Sequence, residues 1–210
     1  MEILPSGTRI NKVFALRTES AIVSGIYRLL IPVSQRYLDY RIAILLPDNY
    51  PRRIPRMYCN DRKLLIGNID RHIMSDGSAC LGVNAEISQK WRSNPRIIFF
   101  LNEFVAPFLV WQTYYDEHGH PPPWGQRSHY DQGVLEFYSE LLGITVGQNV
   151  EAFMRLLAHK NQPKGHEECP CGSALRLRDC HSELIHYARQ QVSWKDVRND
   201  LSIIEQPAIK

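Results

Sequence analysis

The sequence predicts an α+β fold: an antiparallel β-meander, then helices, then a small cysteine-bearing segment near the C-terminus. Three observations predict it. Apolar residues alternate with polar ones in residues 36–47 but recur at helical spacing after Pro95. The strand candidates are joined by short turns, which makes neighbouring strands antiparallel. Three of the five cysteines fall between Cys169 and Cys180.

Taken in order, residues 1–12 carry Pro5, Gly7 and polar groups and read as a loose lead-in. "VFALR" (13–17) reads as a short strand. "AIVSGIYRLLIP" (21–32), rich in Ile, Leu and Val and closed by proline, reads as a second. In "RYLDYRIAILLP" (36–47), Leu38, Tyr40, Ile42 and Ile44 share one face with Asp39 and Arg41 between them, as a half-buried strand requires. "PRMYCND" gives a last short strand. Pro95 suits the first turn of a helix carrying Ile97, Ile98, Leu101, Phe104, Val105 and Phe108, which is expected to bend or stop near Pro107. Residues 116–133 form a turn-rich loop. "VLEFYSELLG" and "VEAFMRLLAHK" read as amphipathic helices, the first closed by Gly143. The expected domain is 1–158, followed by a hydrophilic linker (159–168), the cysteine segment with a helix "SELIHYARQQ" (169–190), and a tail (191–210) that is free or docks on something else.

With 210 residues, the chain is long enough for one solid domain and an appendage. Its 44% hydrophobic and 22% charged residues are ordinary for a folded soluble protein. A net charge of +3 demands no nucleic-acid partner, and "RMYCNDRK" and "LRLRDCH" read as solvated faces. No signal peptide is visible, and "RIIFFLNEFVAPFLVW" is interrupted by Asn102, Glu103 and Pro107, so no membrane span is expected. An odd number of unevenly placed cysteines argues against a disulfide scaffold and for a reducing, cytoplasmic setting.

"CPCGSALRLRDCH" supplies three thiols and an imidazole: Cys169, Cys171, Cys180 and His181. That donor set suits tetrahedral zinc, and a segment this short cannot bury enough apolar surface to fold alone. The stretch resembles the SEC-C zinc motif, which begins Cys-Pro-Cys-Gly-Ser and ends Cys-Cys or Cys-His; Cys169, Pro170, Cys171, Gly172, Ser173, Cys180 and His181 match. The resemblance implies a closed structural zinc site and a protein-docking surface, without catalysis.

Cys80 lies in "RHIMSDGSACLG", after a turn-forming "SDGS". Cys59, beside Met57 and Tyr58 in an expected strand, reads as an inert buried thiol. For Cys80 two readings stay open from spacing alone: a core thiol, or a displayed nucleophile. A free thiol ionises near pH 8.5, so a nucleophile needs a helper, and His72 lies across the expected reversal. Asp76, Ser75 and Ser78 read as turn residues.

The flanks of Cys80 resemble the ubiquitin-conjugating-enzyme family over roughly residues 20–142. Pro47, Tyr50, Pro51 and Pro55 stand where that family carries its proline series; Gly77, Cys80 and Leu81 match its Gly-x-Ile-Cys-Leu loop, with Ala79 for Ile; Trp91 and Pro95 match its Trp-x-Pro region with looser spacing. The resemblance implies that Cys80 carries an acyl group as a thioester. It also implies that a partner's tail lies in a groove between the Cys80 loop, with Gly77 and Leu81, and the loops around Trp91 and "HPPPW" (120–124). The family's His-Pro-Asn element falls on Asp70, Arg71 and His72, so its histidine and proline are missing and His72 takes the asparagine position. There His72 either supports the oxyanion or moves a proton, or it pins the loop by a structural hydrogen bond.

The family's N-terminal helix is hard to find in residues 1–20, and the chain carries no Gly-rich nucleotide loop with which to make an acyl adenylate. A bacterial domain of this kind with His for Asn resembles the conjugating-type proteins of cyclic-oligonucleotide-based anti-phage signalling systems (CBASS). The implied partner is the C-terminus of a cyclic-nucleotide synthase. The alternative function is a non-catalytic adaptor that binds a partner C-terminus and docks through the SEC-C motif. A redox role for Cys80 ranks last, because no Cys-x-x-Cys partner stands near it.

Overall fold

A computed structural model describes residues 9–15, 21–31, 35–59, 68–124, 127–128, 130–145 and 149–205. Of the expected lead-in (1–12), residues 1–8 lie outside them and residues 9–12 belong to a strand instead; the end of "VFALR", the end of "PRMYCND" and the last five residues of the tail also lie outside. The architecture is α+β, with an antiparallel sheet followed by helices. The chain divides into two compact units: Met1–Leu81 with Trp91–Gly125, and Gly82–Lys90 with Gln126–Lys210.

The first unit holds a four-stranded sheet in the order β1 (Arg9–Ala15), β2 (Ala21–Ile31), β3 (Arg36–Leu46), β4 (Arg56–Cys59), antiparallel throughout. β2 and β3 pair without a slip from Ala21 opposite Leu46 to Ile31 opposite Arg36. Register follows from alternation. Tyr27, Leu29, Ile31, Ile42 and Ile44 are buried, and a one-residue slip would turn such a set towards water. On the exposed side, Arg28 lies opposite Asp39 and grips its carboxylate through two hydrogen bonds of 2.7 and 2.9 Å.

The helix after Pro95 does not stop at Pro107. It runs through α2 (Ile97–Phe100), a π turn (Leu101–Val105) and α3 (Ala106–His118). Proline has no N–H to give, and its ring collides with the carbonyl four residues back in a regular helix. Here the Ala106 N–H donates to the Leu101 carbonyl, five residues back. That wider turn lets the chain pass Pro107 without breaking. The resulting helix, Ile97–His118, has 22 residues and a mean hydropathy of 1.3 in its most apolar window. Asn102, Glu103 and Pro107 therefore do not shorten it below bilayer length, as the sequence had suggested. Half of that window is buried within the protein, and the Tyr40 hydroxyl meets Thr113 Oγ1 at 2.6 Å, tying α3 to β3.

In the second unit, α4 (Tyr130–Leu142), α5 (Val150–Leu157), α6 (Ser182–Gln191) and α7 (Trp194–Glu205) surround one core. It contains Tyr138, Phe153, Met154, Leu157, Ile185 and Val197, with Val83 and Ala85 from the start of α1 (Asn84–Ser93) and its approach. Among the described residues, two α-helices were not expected. α1 is polar and offers only scattered apolar positions. α7 occupies the expected tail, which here docks on the chain itself through Val197 and Leu201. Its start is a reciprocal cap: the Ser193 hydroxyl donates to Asp196 Oδ2 (2.7 Å) and the Asp196 N–H donates to Ser193 Oγ (3.2 Å). The units therefore cut the chain elsewhere than at residue 158. α4 and α5 share a core with Cys169, Leu177 and Ile185, because their apolar faces close over the cysteine segment. The expected linker is also tied down, with Arg189 donating to the carbonyls of His159 (2.8 Å) and Lys160 (2.9 Å).

Candidate functional site

In the second unit the cysteine segment folds into a knuckle. The Cys169 N–H donates to the Leu175 carbonyl (2.8 Å), and Glu168 bridges Arg176. Gly172 lies at φ +81°, a left-handed position that glycine takes without penalty. A 3-10 turn, Leu177–Asp179, then returns the chain. The Leu177 side chain is buried, and its carbonyl accepts from both the Cys180 (3.2 Å) and His181 (3.1 Å) amides. This brings the donor atoms of Cys169, Cys171, Cys180 and His181 within 4.8 Å of one another.

His181 Nδ1 is 3.2 Å from Cys169 Sγ and 3.0 Å from Cys180 Sγ, and the Cys171 and Cys180 sulfurs are 3.5 Å apart. A tetrahedral zinc site puts neighbouring sulfur and nitrogen donors about 3.5 to 3.8 Å apart. The set therefore fits a metal of that size with little movement. Burial pushes the Cys169 thiol up to about 12, while hydrogen bonding with Ser173 (3.1 Å) holds Cys171 down to about 6. A cation among them is what would let all three sulfurs ionise together. The edge of the His181 ring packs against Phe153, centroids 5.3 Å apart, which joins the site to the unit's core.

In the first unit, Cys80 and His72 face each other across a reversal. Ile73 bridges Ala79, the Met74 N–H donates to the Ser78 carbonyl (2.8 Å), and the Cys80 N–H donates to the His72 carbonyl (2.8 Å). The turn itself carries Gly77 at φ +81° and an Asp76 carboxylate that accepts from the Ser78 amide (2.9 Å) and hydroxyl (2.6 Å). Those bonds hold the Asp76 carboxyl below its usual range and account for its presence. The hairpin is pinned to β4 through Tyr58 opposite Ser78 and by the Ala79 N–H donating to the Met57 carbonyl (2.8 Å). Cys80 and Leu81 are half-buried, and none of the five cysteines is in a disulfide.

His72 sits at φ +53°. It closes the 3-10 turn Ile69–Arg71, with the Ile73 N–H reaching back to the Asn68 carbonyl (3.0 Å), in the place where a helix end usually has glycine. A non-glycine residue held there costs about 1–3 kcal/mol. Its ring meets Trp111 edge-on, centroids 5.0 Å apart.

Trp91 is not brought to this hairpin's surface. It is 1% exposed, and its indole N–H donates to the Pro51 carbonyl (2.8 Å). It packs near Tyr50 and Phe100. The expectation that Trp91 lines a peptide groove is therefore corrected: burial leaves it no face for a ligand. In the "HPPPW" stretch, Trp124 is exposed and sets its ring edge-on to Tyr114, centroids 5.0 Å apart.

A polar set centred on Arg71, the residue before His72, had no functional reading in the sequence. Arg71 Nε donates to Gln112 Oε1 (2.8 Å), Gln112 Nε2 donates to the Arg71 carbonyl (2.6 Å), and Arg71 forms an ion pair with Asp116 (2.6 Å). A glutamine inside the apolar "FLVWQTYY" is the one signal that could have found them, since a buried amide must have partners. No protein-family model, curated protein or solved structure matches this chain.

Proposed function

We propose that the chain is a ubiquitin-conjugating-enzyme-like protein that carries the C-terminus of a partner as a thioester on Cys80. The observation that supports this best is the backbone pairing of Cys80 with His72, which sets a half-buried thiol beside an imidazole-bearing residue held at a left-handed position. The acyl group must arrive activated, because a free carboxylate does not acylate a thiol. The Cys80 sulfur attacks the activated carbonyl, a C–S bond forms, the activating group leaves, and His72 takes the thiol proton. A later amine forms a C–N bond as the C–S bond breaks, and the thiol regains its proton. The partner is the C-terminus of a cyclic-nucleotide synthase, in cytoplasmic anti-phage defence of the CBASS kind. Cys169, Cys171, Cys180 and His181 would hold one structural zinc in the manner of the SEC-C motif.

Burial of Trp91 favours a second reading, a non-catalytic adaptor, because it removes one expected wall of the peptide groove. Mixing the protein with a synthase encoded beside it, an activating enzyme and ATP separates the two. Under the first reading, a non-reducing gel shows an adduct that hydroxylamine cleaves and that Cys80→Ala abolishes. Co-elution undiminished by Cys80→Ala, with no such adduct, establishes the adaptor instead.

A further inference from the structure

The geometry points to Arg71 and Gln112 as positioning residues that hold His72 in its left-handed conformation beside the Cys80 hairpin. The inference deepens the proposed chemistry and rests on it. Gln112 is 1% exposed, in a stretch of α3 where Trp111 and Thr113 on either side are also buried. A buried amide needs partners for both ends, and Arg71 supplies both. Its guanidinium donates a hydrogen bond to Oε1, and its carbonyl accepts one from Nε2. That carbonyl belongs to the peptide leading into His72, so Gln112 fixes the peptide plane that sets φ of His72. The Arg71 guanidinium is held in turn by Asp116 and lies over the Tyr115 ring, 4.6 Å from its centroid. Tyr115 stacks on Trp111, and Trp111 meets the His72 ring. The same few residues therefore hold both the backbone and the imidazole of residue 72. An unstrained loop would carry glycine there; this clamp keeps a histidine in place.

The test uses the full chain with its metal site loaded. Gln112→Glu keeps the shape and an acceptor for Arg71 Nε but sets a carboxylate oxygen against the Arg71 carbonyl. Arg71→Lys, which keeps the charge for Asp116, is the second variant should the first fail to fold, as judged by far-UV circular dichroism. Two readouts are taken: the His72 Cε1–H resonance, displaced by the Trp111 ring, and the pH profile of alkylation at Cys80, read by peptide mass spectrometry. The expected result is a His72 resonance moved towards that of a free histidine, with Cys80 alkylation at neutral pH slowed about 10- to 100-fold and a profile matching His72→Ala. A His72 resonance and a profile unchanged from wild type in both variants overturn the inference. Identical profiles for wild type and His72→Ala sink the proposed chemistry, and with it the positioning role, whatever the resonance does. A moved resonance would then mark a clamp that serves the fold alone.

Discussion

Asp200 is fully buried in the second unit, where the Tyr138 hydroxyl (2.9 Å) and the Ala85 amide (3.1 Å) donate to its Oδ2 at the start of α1. Burial pushes its carboxyl up to about 6, against the pull of those donors and the Asn84 side chain, and the nearby Asp196 carboxylate adds to the rise. A carboxyl raised in the folded state destabilises that state once it ionises. The folded protein therefore loses stability as pH climbs from the ordinary carboxylate range through about 6, by at most about 3 kcal/mol. Asp200→Asn, which keeps an acceptor for Tyr138 and Ala85, is expected to flatten that loss. Its stability, measured by urea titration, should exceed wild type above pH 6 and converge with it near pH 4. His72 gives the opposite kind of case, in which strain accompanies a proposed role. Glycine takes φ +53° freely, so His72→Gly should leave the first unit folded, with its melting midpoint held or raised. Acyl discharge from Cys80 should slow about 100-fold. A variant that melts early while discharging normally would reduce His72 to a loop pin.

At the level of elements, α4 begins against a close backbone neighbour. A Cβ at Gly133 would lie 2.0 Å from the Ser128 carbonyl oxygen. Gly133→Ala is therefore expected to destabilise the second unit by about 1–3 kcal/mol, a loss that thermal melting would register. β2 and β3 were legible because one face is buried and the other wet, which writes period two into Leu38, Tyr40, Ile42 and Ile44. α6 was legible to the residue. α1 was not, because "NAEISQKWRS" has too few apolar residues to show a face. α7 carries both a Ser193–Asp196 cap and apolar residues at Trp194, Val197 and Leu201, but its burial depends on α4 and α5, far away in sequence, so the local pattern alone does not mark it as part of a core. The passage of Pro107 was not legible either, since a π turn leaves no mark beyond the proline itself. Of the candidate sites, the four metal-type donors were readable because they crowd into thirteen residues, Cys169 to His181. The Arg71–Gln112–Asp116 set was not, because it joins residues some forty positions apart. Trp91 matched a motif position, yet its large apolar ring went to the core.

Across the whole chain, the cysteine knuckle belongs to the core of the second unit, through Cys169 and Leu177. A chelator is therefore expected to do more than loosen residues 169–190. Amide exchange should quicken in α4, α5, α6 and α7 together, and protection in β2 and β3 should hold. On the proposed zinc assignment, one metal ion per chain should be released. Exchange confined to 169–190 would show a knuckle that contributes nothing to its surroundings. The central claim concerns Cys80. It is tested most directly by intact-mass spectrometry of the chain after incubation with a neighbouring cyclic-nucleotide synthase and its activating enzyme, before and after hydroxylamine. The account predicts one adduct, heavier than the chain by the partner's mass less one water, erased by hydroxylamine and missing from Cys80→Ala. An adduct that persists in Cys80→Ala, or none in the wild type, would contradict it.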